Sequence, residues 1–161
     1  LLNTEGHARH HHVIHDPASK GVFTGDSFGV SYRELDTDNG EIVFPTSTPV
    51  QFDPVEAHKS VDRIMGCEPD QLYLTHYSRV RNLDRLAEQM HRGIDAYVAI
   101  AEQHEHDDNR SANMRDALTE YYARELADHG YTESRETMME VMSIDIELNA
   151  QGLEFWLNKR S

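Results

Sequence analysis

Short apolar runs separated by turn-forming residues mark the beginning of the chain. Residues 11–16 surround the pair Val13 and Ile14, and residues 16–21 are rich in turn formers. Residues 21–26 form a second run with Val22 and Phe23 at its centre. Alternating runs joined by such a turn are typical of a β-hairpin, which we predict here.

A helix signal follows at Asp53-Pro54-Val55-Glu56, where a capping aspartate precedes proline and glutamate stands three residues after the cap. The apolar positions 57, 61, 64 and 65 then fall on one helical face, and Gly66 and Pro69 end the pattern. Residues 72–75 are typical of a buried strand, which leads directly to His76.

From Val80 onward the apolar positions recur at helical spacing. A long first helix ends before the polar run 104–109, a second ends near Gly130, and Thr132 or Ser134 can cap a third. The methionine and aromatic positions in these helices indicate core packing rather than a cofactor site. We predict a helix-rich α+β fold, with a first domain over residues 1–79 and a helical extension over 80–161.

Charge and cysteine content exclude several classes of function. The chain has 29 acidic and 15 basic residues, for a formal net charge of −14, so binding to nucleic acid or to an anionic membrane through charge is not expected. No apolar run approaches the ~20 residues of a membrane span. The single cysteine, Cys67, cannot form an internal disulfide. A cytoplasmic setting is the default expectation.

His7, Asp26 and His76 are candidate metal ligands, because each stands at the polar edge of an apolar run predicted to be a strand. Imidazole and carboxylate together suit zinc or iron. His11 is a candidate for the second shell or the substrate side. Strand alternation places His10 and His12 on one face and His11 and His15 on the other, so the histidine tract is not expected to form one cluster.

Three short stretches resemble the second half of the metallo-β-lactamase superfamily of metal-dependent hydrolases. Gly6-His7 is similar to the third metal motif of the family, Thr24-Gly25-Asp26 to its bridging aspartate, and Leu74-Thr75-His76 to its last histidine. The resemblance implies the second half of an αββα sandwich, followed here by three helices. It also implies two zinc ions, with iron or manganese as alternatives, bridged by Asp26.

The implied activity is hydrolysis of a small-molecule ester, thioester, lactone or amide by a metal-bound hydroxide. Tyr77, next to His76, is a candidate donor to the substrate oxyanion, with packing at a strand end as the alternative role. Residues 27–52 form either a lip over the substrate or a plain connection. Cys67 has no evident histidine partner, so covalent catalysis is not expected.

The first metal motif of the family, His-x-His-x-Asp-His, does not occur in these residues. We therefore expect a carboxyl-terminal piece whose missing amino-terminal half completes the site, so that this piece alone binds zinc weakly and is inactive. An apolar sheet face left exposed would favour association, including a homo-oligomer. Two alternatives stay open: an iron-dependent oxidoreductase of the same superfamily, and a helical interaction module with a degenerate metal site.

Overall fold

A five-stranded mixed sheet forms the framework of the first half of the chain in the computed structural model, which describes residues 1–47, 51–76 and 79–160. Its strands are β1 (Leu2–Asn3), β2 (His12–Asp16), β3 (Gly21–Gly25), β4 (Gln71–Leu74) and β5 (Arg79–Val80), and they lie side by side in chain order. Neighbours are antiparallel except for β3 and β4, which are parallel. The predicted hairpin and the strand before His76 are both present.

Helix α1 (Pro54–Met65) connects the two parallel strands, because a parallel pair needs a crossover and cannot be joined by a tight turn. The Asp53 carboxylate accepts hydrogen bonds from the backbone N–H groups of Val55 and Glu56, at 3.1 and 3.2 Å. The helix ends at Gly66, as the sequence predicts. Val61 and Ile64 are fully buried beneath it.

Three further helices follow the sheet: α2 (Leu83–His104), α3 (Arg110–Asp128) and α4 (Arg135–Arg160). The prediction of a helix-rich α+β fold is confirmed. One continuous cluster of buried apolar side chains runs from Val13 in β2 to Leu157 in α4, while the predicted division at residue 80 stays a prediction. No helix in the described ranges is long and apolar enough to cross a membrane.

Residues 27–47 form an ordered connection that packs between the sheet and the carboxyl-terminal helices. A short 3₁₀ turn spans Arg33–Leu35, and Val30 and Phe44 exchange backbone hydrogen bonds of 2.9 and 3.0 Å. Phe28 and Phe44 are almost fully buried. The connection is therefore part of the core and not a loop lying on its surface.

A buried polar network fixes the end of this connection against the helices. The Asn149 side chain accepts a 2.8 Å hydrogen bond from the Ser47 backbone N–H, and its amide donates to the hydroxyls of Tyr97 and Tyr122 at 3.0 and 2.8 Å. The two tyrosine hydroxyls are also hydrogen-bonded to each other. Tyr97 donates to the Pro45 carbonyl at 2.8 Å. The position of residues 45–47 thus depends on helices α2, α3 and α4.

Candidate metal centre

Asp26 and His76 lie next to each other because of the topology of the sheet. Asp26 follows β3 and His76 stands two residues after β4, and the ends of parallel neighbouring strands meet at the same edge. The His76 Nε2 atom lies 3.4 Å from Asp26 Oδ1. His7, from the segment between β1 and β2, places its Nε2 atom 3.8 Å from Asp26 Oδ2. The structure thus brings all three predicted ligands together, while their role as ligands stays a prediction.

His11 joins this group, although the sequence analysis placed it in the second shell or on the substrate side. Its Nε2 atom lies 4.0 Å from Asp26 Oδ2, and one ligand atom from each of His7, His11 and Asp26 falls within 4.8 Å of the others. His10 and His12 do not join this cluster, and the role of His11 stays a prediction; β2 begins at His12, so His11 precedes the strand. A turn precedes the strand, in which the His11 N–H bonds to the Ala8 carbonyl at 3.2 Å.

The other histidines of the tract take no part in this cluster of three. His10 and His12 are exposed, and His15 pairs with Val22 within the hairpin. A sequence signal for His11 does exist, since it stands four residues after His7. In the structure, the ring centroids of His7 and His11 lie 4.8 Å apart.

Gly25 has a structural role beside the carboxylate. Its φ of +55° lies in the left-handed region, which a side chain disfavours, and a Cβ atom there would lie 3.6 Å from His11 Nδ1. Gly25 thus adopts a backbone conformation that other residues rarely adopt. It allows the chain to leave β3 and turn the Asp26 side chain toward the histidines.

The nitrogen atoms on the far side of two imidazole rings are held by hydroxyl groups. His7 Nδ1 lies 2.6 Å from Thr46 Oγ1 and 3.3 Å from the Thr46 carbonyl oxygen. His11 Nδ1 lies 3.4 Å from Ser27 Oγ. Since the Thr46 carbonyl can only accept, its contact favours a proton on His7 Nδ1 and leaves the Nε2 lone pair facing Asp26. Metal-binding histidines are commonly oriented in this way.

The hydrogen bonding of the Asp26 Oδ1 atom is unusual in this environment. The atom is buried and has no hydrogen-bond partner among the described residues, since His76 Nε2 is near it without the geometry of a hydrogen bond. A buried carboxylate oxygen without a donor is unfavourable unless a cation satisfies it. The buried oxygen, together with the converging Nε2 atoms, fits a metal ion.

Burial lowers the pKa of two of these histidines below the usual value of 6.5. For His7, loss of solvation outweighs the opposing effects of the Thr46 carbonyl and of Asp26. For His11, loss of solvation acts first, and the neighbouring His7 lowers the pKa further. A lowered pKa keeps both rings neutral, which is the form that binds a metal ion.

The site opens into a cavity of about 340 Å³. One wall comes from helix α4, where Ile144 is 72% exposed and Leu148 is 37% exposed. In the same wall, the Asp145 carboxylate accepts a 2.9 Å hydrogen bond from the Tyr32 hydroxyl, and burial raises its pKa. The described residues that line the cavity are His7, Asp26, Val30, Tyr32, Thr46, His76, Val141, Ile144, Asp145 and Leu148.

Residues 30, 32 and 46 of the connection thus border the cavity, as a substrate lip would. The wall from α4 was not predicted, because helical spacing alone does not show which surface a distant helix covers. Tyr77, the candidate oxyanion donor, lies outside the described residues.

Comparison with known proteins places this arrangement in a recognised fold. No protein-family model and no curated protein matches the chain. Among solved structures, it is similar to an archaeal metallo-β-lactamase superfamily protein from Sulfolobus tokodaii, with a TM-score of 0.54 and 22% sequence identity. The similarity covers 94% of this chain and 44% of that protein, so the chain spans less than half of its length. The chain therefore has the fold of part of a metallo-β-lactamase superfamily protein.

Proposed function

We propose that the chain forms part of a metal-dependent hydrolase, with zinc as the expected metal, acting on a small-molecule ester, thioester, lactone or amide. The observation that carries this proposal is the convergence of three imidazole rings on one carboxylate, Asp26, whose Oδ1 atom is buried without a hydrogen-bond donor. The fold shared with a metallo-β-lactamase superfamily protein supports the same class of chemistry.

The two carboxylate oxygens of Asp26 face different histidines. Oδ2 is near His7 and His11, at 3.8 and 4.0 Å, whereas Oδ1 is near His76, at 3.4 Å. With this division, His7, His11 and Asp26 would hold one ion, and Asp26 and His76 would contribute to holding a second. When bound, zinc supplies a water of lowered pKa and polarises the carbonyl group under attack.

The remaining residues around the site orient the ligands and receive the substrate. Thr46 and Ser27 hold the His7 and His11 rings, so that both Nε2 atoms stay directed at one point. Ile144 and Leu148 offer an apolar surface at the cavity, against which an acyl chain or ring of the substrate would lie. Tyr77 is retained as the proposed donor to the substrate oxyanion.

The proposal extends to residues outside this chain. The position shared by Asp26 and His76 has two protein ligands among the described residues, whereas catalytic zinc usually has three. We propose that an additional segment, corresponding to the unmatched part of the solved relative, supplies the missing ligands. The αββα sandwich would then be completed by the same segment, and the present chain alone would be catalytically silent.

Zinc titration of the chain by calorimetry tests the metal centre. We expect Asp26→Asn, His7→Gln and His11→Gln each to weaken zinc binding, because each removes one of the three clustered ligands. His12→Gln is the matched control, since this histidine belongs to the same tract and is exposed. Weakening by His12→Gln equal to that by Asp26→Asn would contradict the proposed centre.

Activity is tested with aryl ester, thioester, lactone and amide substrates, first with the chain alone and then with the additional segment restored. We expect turnover in the second case, and loss of it in Asp26→Asn. Metal analysis of the restored protein separates the alternatives. Zinc with hydrolysis supports the proposal, whereas tightly held iron with oxygen or thiol chemistry would favour an oxidoreductase. The absence of both metals and of turnover would leave a helical interaction module as the better explanation.

A further inference from the structure

A second histidine cluster lies between helices α1 and α2, on residues that the proposed centre does not use. Helix α1 carries His58 and Asp62, and helix α2 carries His91 and Asp95. Each pair has a spacing of four residues, which places the two side chains on one face of their helix. Each helix therefore contributes one histidine and, four residues later, one aspartate to the cluster.

The four side chains pair crosswise between the helices. His58 Nε2 lies 3.0 Å from Asp95 Oδ1, and His91 Nε2 lies 3.2 Å from Asp62 Oδ1. The two Nδ1 atoms face each other at 2.7 Å, and the rings are nearly parallel, with an interplanar angle of 6°. Each imidazole thus has a carboxylate beside its Nε2 atom, and the two Nδ1 atoms face each other.

The protons on the ring nitrogens of His58 and His91 determine what the pair can bind. An ionised carboxylate only accepts hydrogen bonds, so the hydrogen bond from His58 Nε2 to Asp95 requires a proton on that nitrogen, whereas the His91 contact with Asp62 lacks the geometry of a hydrogen bond. A neutral imidazole carries one proton, which leaves a lone pair on His58 Nδ1 that faces His91 Nδ1. Either a proton on His91 Nδ1 or a metal ion between the rings can join the two Nδ1 atoms.

We propose that His58 and His91 form a second metal site, in which their Nδ1 atoms bind a divalent transition-metal ion such as Zn²⁺, Cu²⁺ or Ni²⁺. Imidazole is a suitable ligand for these ions. Asp62 and Asp95 act as positioning residues, in the carboxylate–histidine–metal arrangement that orients many metal-binding histidines.

The dimensions of the pair allow an ion to enter. Tetrahedral zinc with Zn–N distances of ~2.0–2.1 Å needs its ligand nitrogens ~3.3 Å apart, so the present 2.7 Å separation must widen by roughly 0.6 Å. The side chains of His58 and His91 are 29% and 32% exposed, so small rotations can supply that change. Water completes the coordination on the open side.

The test is a titration of zinc alone into a chain that carries His7→Gln and Asp26→Asn, which silence the first centre. Nitrogen-15 spectra of the histidine side chains report on each ring separately. We expect the Nδ1 signals of His58 and His91 to shift together on binding, and the unfolding temperature to rise. His91→Gln should abolish both effects, with circular dichroism showing that the helices remain.

Two further variants distinguish specific zinc binding by His58 and His91 from nonspecific zinc binding by surface histidines. Asp62→Asn with Asp95→Asn should lower the zinc affinity about 10–100-fold, the usual cost of losing the groups that orient metal-binding histidines. His104→Gln is the matched control, because it changes a histidine at the carboxyl-terminal end of α2 that also contacts an aspartate, Asp107 at 2.7 Å, and is not part of the His58–His91 pair. The proposal is overturned if saturating zinc leaves the His58 and His91 signals unchanged, or if His104→Gln weakens binding as much as His91→Gln does.

Discussion

Asn149→Ala tests how far the candidate metal centre depends on a residue that lies outside it. Asn149 is 1% exposed, and its side-chain oxygen is the acceptor for the Ser47 backbone N–H. Ser47 is fully buried and follows Thr46, whose hydroxyl contacts His7 Nδ1. Truncation at Asn149 should therefore affect stability directly and the orientation of His7 indirectly.

The stability loss can be estimated from the contacts removed. The Ser47 N–H loses its acceptor in a fully buried position, which costs ~1–3 kcal/mol for one buried unsatisfied donor. The Ser47 hydroxyl keeps its 2.9 Å bond to the Asn149 carbonyl, so it adds no penalty. Loss of the bonds to Tyr97 and Tyr122 adds ~0.5–1.5 kcal/mol, because the two hydroxyls still bond to each other. The total is about 1.5–4.5 kcal/mol.

For a chain of this length, ~1 kcal/mol changes the unfolding temperature by ~2–4 °C, so a loss near 3 kcal/mol corresponds to about 6–12 °C. Thermal and urea unfolding measure both quantities. Tyr122→Phe is the matched control, because it removes a hydroxyl from the same network and leaves the Ser47 N–H bonded. We expect it to cost ~0.5–1.5 kcal/mol.

Zinc calorimetry on the same two variants separates the effect on stability from the effect on the orientation of His7. Asn149→Ala should weaken zinc binding, since residues 45–47 lose their anchor and Thr46 no longer holds the His7 ring in place. Tyr122→Phe should leave the affinity unchanged. The reasoning is refuted if Asn149→Ala is no less stable than Tyr122→Phe, or if both variants bind zinc as the unmodified chain does.

Three further predictions concern the surroundings of the same centre. Thr46→Val removes the 2.6 Å contact to His7 Nδ1 at nearly constant volume, so calorimetry should show about 10–100-fold weaker zinc binding with unchanged circular dichroism. Gly152→Ala would place a Cβ atom 1.9 Å from the Ser47 carbonyl oxygen, and we expect a loss of ~1–3 kcal/mol in urea unfolding; full stability would contradict that close approach. The lowered pKa values of His7 and His11 mean that the unfolded chain binds more protons than the folded chain below pH 6.5. The free energy of unfolding of the metal-free chain should therefore fall as the pH drops below that value, until the lowered pKa values are passed, and the double variant His7→Gln/His11→Gln should show a shallower fall.

The proximity of two of the three candidate ligands was predictable, because it depends on local sequence and on one rule of sheet topology. Asp26 and His76 each follow an apolar run, and parallel strands place such positions at a common edge. His7 was identified by its resemblance to a family motif. The position of His11 was harder to predict, because it depends on where β2 begins, and strand boundaries are the least reliable part of any prediction from sequence.

The helical residues near the two candidate metal sites were harder to predict, because their surroundings depend on how distant segments of the chain pack together. Ile144 and Leu148 stand more than a hundred residues from Asp26, and helical spacing shows which side of α4 is apolar without showing what it faces. His58 lies off the apolar positions of α1, so helical spacing alone indicates a surface residue. Its partner His91 has the same spacing to an aspartate, but only the packing of α1 on α2 brings the two motifs together.

The distribution of charge explains why a carboxylate can remain at the centre of the first site. The chain has a formal charge of −14, which does not favour an additional negative group such as Asp26, whose Oδ1 atom is buried. His7 and His11 can offset that charge as cations, but burial lowers their pKa and favours the neutral form. A carboxylate with one buried oxygen near neutral imidazoles is stabilised by positive charge, and the lone pairs of the His7 and His11 Nε2 atoms face the same place. A metal ion meets both requirements at once, whereas protonation would satisfy Asp26 and leave the imidazole lone pairs unused.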